Sequence, residues 1–97
     1  MAEKMPPKLV NQMAKAGLPQ SGNIVFRPAL AKNRRGNLII QKAVVQFGPK
    51  KDKTGYVDTS GRIWIRDYGH AGLPDHWDVQ EDGGRFYFRV DDAGNRI

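Results

Sequence analysis

The sequence predicts an α+β domain, a short N-terminal helix packed on one face of a twisted antiparallel β-sheet. Three runs in the C-terminal half alternate with the two-residue period of a half-buried strand, and the one segment with helical start and stop signals precedes them. Length supports a single unit: 97 residues without a cysteine form one domain held by packing, and nine aromatic side chains suffice for a modest core.

Met5-Pro6-Pro7 followed by Lys8 to Gly17 reads as the helix, with proline at its start, Leu9, Val10 and Met13 on one side and glycine at its end. Two to three turns do not persist alone in water, so that side must dock. Asn23 to Arg27 has strand composition and is stopped by Pro28. Asn33-Arg34-Arg35-Gly36-Asn37 has turn chemistry, Leu38 to Phe47 reads as one longer strand, and Gly48 to Gly55 is a glycine-bounded basic loop. Tyr56-Val57-Asp58 leads through Thr59-Ser60-Gly61 into Arg62 to Arg66. The second run is His76 to Gln80, Asp82-Gly83-Gly84 turns the chain, and the third run is Arg85 to Val90, closed by a turn over Asp91 to Asn95.

Sorting these runs by parity predicts two faces. Ile63, Ile65, Trp77, Val79, Phe86, Phe88 and Val90 fall on the face that buries against the helix. Arg62, Trp64, Arg66, His76, Asp78, Gln80, Arg85, Tyr87 and Arg89 fall on the other.

Charge divides the chain differently. Residues 1–51 hold ten Lys or Arg against a single acid, Glu3, whereas residues 52–97 hold six against nine acids. A carboxylate-free stretch from Lys4 to Lys51 suits polyanion binding, because each neutralised phosphate releases counterions and an interspersed acid opposes that gain. A basic half at 1–54 that binds nucleic acid and a β-meander at 55–97 that carries the chemistry are therefore expected; a solvated basic surface is the plainer alternative. No stretch approaches the roughly twenty apolar residues of a membrane span, and no signal peptide opens the chain. The chain reads as a domain cut from a longer protein whose export is directed elsewhere, with no membrane partner and a monomeric state expected.

Cutting RNA without a metal requires a base for the 2′-hydroxyl proton, an acid for the leaving 5′-oxygen and cations for the developing phosphorane charge. His70 and His76, the two histidines, lie in a glycine-rich loop that feeds the polar face, where Asp75 or Asp78 can orient them. His76, Asp78 and Gln80, with His70 as second acid or base, form the expected catalytic set. Arg34, Arg35, Lys50, Lys51, Lys53, Arg62, Arg66, Arg85, Arg89 and Tyr87 form the expected substrate surface. No metal or cofactor is expected. Two other readings stay open: a metal-dependent nuclease using His70, His76 and Asp78, whose spacing matches no tight ligand signature, and a non-enzymatic RNA-binding module. Charge alone does not separate RNA from DNA.

The stretch Gly55 to Ile97 resembles the C-terminal toxin domains of bacterial polymorphic toxins of the Rhs and contact-dependent inhibition type. The resemblance is carried by Gly55-Tyr56-Val57-Asp58, by Gly61 to Asp67, and above all by His76-Trp77-Asp78-Val79-Gln80 after a Gly-Pro-containing loop; Gly48-Pro49-Lys50-Lys51 also fits. It implies an effector delivered into the cytoplasm of a competing bacterium and neutralised in the producer by a cognate immunity protein. The chain is more distantly similar to the nuclease domain of ribosome-inactivating colicins, through Trp77, Asp78, Gln80 and the Gly94-Asn95 turn, which implies a colicin-type ribonuclease fold and a part for Asp78 in RNA cleavage. It departs from that family at Glu81 and Arg85, where the colicins place a histidine and a glutamate. A different catalytic arrangement follows, and the RNA target, ribosomal RNA or tRNA, does not carry over.

Overall fold

A computed structural model describes residues 5–69 and 71–97, so His70 lies outside the described residues. The element order is α1 (Pro7–Ala16), β1 (Leu30–Lys32), β2 (Leu38–Ile40), β3 (Lys42–Val44), β4 (Thr54–Val57), β5 (Ile63–Asp67), β6 (His76–Glu81), a short 3-10 turn (Asp82–Gly84) and β7 (Phe86–Asp91). The architecture is α+β: β3 to β7 form an antiparallel sheet in sequential order, and β1 and β2 form a separate hairpin.

The helix begins at Pro7, where a missing N–H costs nothing, and ends at Gly17, whose φ of 80° takes the left-handed cap that a side chain would resist. Leu9 and Met13, four apart, are buried; Val10, expected beside them, is largely exposed. The segment 23–27 is not a strand. Its N–H groups go to scattered acceptors, Ile24 to the Gly94 carbonyl and Phe26 to the Pro19 carbonyl, which leaves no ladder. The run 38–47 is two strands rather than one. Gln41 breaks it, donating its N–H to Ala29 and accepting from Val57, so that β2 pairs with β1 and β3 with β4.

The phase of β5 differs from the expectation. Trp64 pairs with Val79, Ile65 with Asp78, and Asp67 with His76, so Trp64 and Arg66 share the face of Trp77 and Val79. Ile63, Ile65 and Asp67 share the face of His76, Asp78 and Gln80. The cause is that the sheet has apolar packing on both sides. Leu9, Met13, Phe26, Trp64, Trp77, Val79 and Val90 form one buried cluster, and Val45, Val57, Ile63 and Ile65 form another. A strand buried on both faces carries no alternation from which to read its phase. Trp64 is therefore enclosed and donates its indole N–H to Asp58 at 2.9 Å. The indole of Trp77 donates to the Gly17 carbonyl at 2.9 Å and ties β6 to the helix end.

The second face is covered by the chain that leaves β3. Gln46 and Phe47 both donate N–H groups to the Gly83 carbonyl, at 2.9 and 3.0 Å. The strap thereby crosses from one edge of the sheet to the β6–β7 turn. Gly84, at φ 108°, permits that approach: a Cβ there would stand 2.1 Å from the Phe47 carbonyl oxygen. The loop beyond the strap brings Lys50 over the polar end of the face.

Candidate active site

The cleft is built from strand period and register. In β6 the side chains of His76, Asp78 and Gln80 point to one face and Trp77 and Val79 to the other. Register adds Asp67 from β5 beside His76, and Arg89 from β7 beside Asp78. Pro49, Lys50, Asp67, Asp78, Tyr87 and Arg89 line a small cleft of about 160 Å³.

Its charges alternate in sign. Lys50 Nζ lies 3.3 Å from Asp78 Oδ2 and 3.5 Å from Asp67 Oδ2, and Arg89 Nε lies 3.5 Å from Asp78 Oδ1. His76 sits behind the carboxylates, its Nε2 3.2 Å from Asp67 Oδ2 and 3.8 Å from Asp78 Oδ1. The Asp78 side chain is 4 % exposed, that of Asp67 28 %. Burying a carboxylate is costly unless opposite charge accompanies it, and Lys50 and Arg89 supply that charge.

The imidazole has a defined orientation. Its Nδ1 lies 2.9 Å from the Pro74 carbonyl, which only accepts, so Nδ1 carries a hydrogen. His76 Nε2 is buried beside the two carboxylates at the floor of the cleft and has no hydrogen-bond partner among the described residues. Burial pushes the Asp67 carboxyl up. The side-chain hydrogen bond shared with Asp78, the Lys50 ammonium and the His76 ring together outweigh burial and hold it below its ordinary value.

Of the sequence-predicted catalytic residues, the structure brings together His76 and Asp78. Gln80 lies on the same face but is fully buried, away from the cleft lining, and neither its Oε1 nor its Nε2 has a protein partner among the described residues. His70 lies outside the described residues. Of the predicted substrate contacts, Lys50, Arg89 and Tyr87 line the cleft, while Lys51 and Lys53 are exposed on the loop that carries Lys50. Arg34 and Arg35 lie in the exposed β1–β2 turn. Arg85, beside the β6–β7 turn, pairs with Asp82 at 3.6 Å and stacks on Phe47.

Two expected substrate contacts belong to the opposite face. Arg66 forms a two-bond pair with Asp92 and lies over the Trp77 ring, and Arg62 is bound to the buried carboxylate of Asp58. Asp67 was missed. It closes β5 at a position that parity assigns to the cleft only once Ile63 and Ile65 are placed on that face.

The cluster also has the composition of a metal site: Asp67, His76 and Asp78 each offer one ligand atom, and these atoms lie within 4.8 Å of one another. Asp67 stands in this set where the sequence suggested His70. The Lys50 ammonium, however, already bridges the two carboxylates that would hold the ion. No protein-family model matches the chain, and no curated protein or solved structure shows significant similarity to it.

Proposed function

We propose that this domain is an endoribonuclease that cuts RNA by metal-independent transesterification, acting as an antibacterial toxin in the cytoplasm of a target bacterium. The observation that carries this reading is the cleft itself, where two carboxylates backed by a buried imidazole lie between two cations. Metal-free RNA cleavage needs this set and little else.

In the proposed reaction Asp67, the more exposed carboxylate and the one held ionised, accepts the 2′-hydroxyl proton as the 2′-oxygen attacks phosphorus. The P–O5′ bond breaks. A proton relayed from the His76 imidazolium by way of the Asp78 carboxylate reaches the 5′-oxygen, leaving a 2′,3′-cyclic phosphate and a 5′-hydroxyl. Lys50 and Arg89 face the non-bridging oxygens and stabilise the added charge. Tyr87, half-exposed at the rim, offers a ring on which an unpaired base stacks. His76 is enclosed and acts through the carboxylates, as a positioning residue and proton reserve. The toxin reading, with delivery into a competing cell and a cognate immunity protein, rests on the resemblance of residues 55–97 to polymorphic toxin domains.

The metal-dependent reading is favoured by one observation, the convergence of Asp67, His76 and Asp78. Incubating the purified domain with total RNA in EDTA separates the two. Discrete fragments ending in cyclic phosphate are expected; fragments that appear only when a divalent cation is restored would establish the metal reading, and intact RNA with retarded mobility would establish a binder.

A further inference from the structure

The exposed side of α1 and the outer end of β4 enclose a groove on the opposite side of the sheet from the cleft. Lys8, Asn11, Gln12, Lys15 and Tyr56 line it, with a volume of about 620 Å³. A second concavity of about 460 Å³ shares Gln12 and continues past Gln41 and Lys42. Lys42, the cross-strand partner of Tyr56, holds its ammonium 5.4 Å from the centre of that ring and joins the two.

The composition of this surface is unlike that of the cleft. Its charged side chains are all lysines, its other polar groups are the carboxamides and the Tyr56 hydroxyl, its second part is floored by Ala31, Ile39 and Ile40, and none of Lys8, Lys15 or Lys42 pairs with a carboxylate among the described residues. In the cleft the cations are paired with Asp67 and Asp78. Here they are exposed, and Tyr56 provides one aromatic surface beside them. Lysines, amide donors and an aromatic ring are the groups that bind phosphate and sugar without reading sequence.

We infer that the α1–β4 groove is a second, non-catalytic binding site for the phosphate backbone of RNA. The inference deepens the ribonuclease reading and rests on it for the substrate, because the two sites lie on opposite faces of a sheet in a molecule 23 to 27 Å across its shorter axes. A dinucleotide reaches only the cleft. An RNA that engages both must turn around the β3 edge or be folded on the scale of the domain itself. The preferred substrate is therefore a folded RNA, with the groove supplying affinity and the cleft supplying chemistry.

The test compares the parent protein with a variant carrying Lys8→Gln, Lys15→Gln and Lys42→Gln, three exposed positions whose replacement spares the core. Binding of transfer RNA is measured against salt with Asp67→Asn added to both proteins, so that the RNA stays whole. Each lysine–phosphate contact contributes about 0.7 to 0.9 to the slope of log K against log salt, so the slope is expected to fall by about 2 to 3. With Asp67 restored, cleavage of transfer RNA in EDTA is expected to fall at least tenfold while cleavage of an RNA dinucleotide persists. An unchanged salt slope overturns the groove, including the case in which the variant loses affinity only for polyglutamate, which would mark the surface as one for an acidic protein. If the parent leaves the dinucleotide intact, the cleft reading fails while the slope still decides the groove.

Discussion

The two faces of one strand, β6, are buried to the same degree by different means. Trp77 and Val79 point toward the helix side and are enclosed by apolar and aromatic neighbours; His76, Asp78 and Gln80 point the other way and are as fully enclosed. Burial on the first face is driven by removal of apolar surface from water. On the second face it is tolerated, because Lys50 and Arg89 offset the charge of Asp78 and the strap from β3 covers the remainder. The difference teaches that enclosure alone does not mark a structural residue. The larger apolar cluster lies on the helix side and the proposed reactive groups on the strap side, so the two are expected to be separable by mutation.

The sharpest way to break that separation is Trp77→Ala. It empties the centre of the apolar cluster and removes the bond to the Gly17 carbonyl, at an expected cost of about 3 to 5 kcal/mol measured by urea unfolding. A loss below about 1 kcal/mol would show that the helix side does not carry the fold. Lys50→Ala is the converse: RNA cleavage in EDTA should fall by about 10² to 10³-fold, as for loss of one group that stabilises transition-state charge, with a smaller loss of stability than Trp77→Ala because Arg89 still faces Asp78.

A smaller effect follows from Asp67. Its ionised form is favoured in the folded state, so its contribution to stability is present at neutral pH, above the ordinary carboxylate range, and is lost as pH falls through the depressed folded value. Asp67→Asn should therefore be less stable than the parent near neutrality and converge with it in strong acid. A difference that grows on acidification would reverse the sign and remove the proposed ion cluster. The smallest effect is expected from Tyr87→Ala. Loss of one stacked base costs about 1 to 3 kcal/mol, read as a rise in KM with kcat nearly unchanged.

The helix, the C-terminal meander and its turns were legible because each carries local signals: Pro7 and Gly17 at the helix ends, and period-two runs in β6 and β7. Those two strands have one apolar and one polar side, and the sequence places His76, Asp78, Tyr87 and Arg89 together. β5 was not legible. Ile63, Trp64 and Ile65 are all buried, so its phase depends on pairing with β6, a non-local fact. The error moved Arg66 into the expected site and left Asp67 out. The strap was hidden for a similar reason, since Gln46 and Phe47 bond to Gly83 across a long sequence separation and Lys50 reaches the cleft only through that crossing.

The most direct test sets two substitutions from opposite faces side by side, Asp78→Asn and Arg66→Ala, each assayed for RNA cleavage in EDTA and for folding by circular dichroism. Asp78→Asn is expected to stay folded and lose about 10² to 10⁴-fold in activity, whereas Arg66→Ala, after correction for any loss of folded protein, is expected to cut RNA as the parent does. An active Asp78→Asn protein, or a folded but inactive Arg66→Ala protein, would contradict the proposed placement of the reaction in the cleft on the strap side of the sheet.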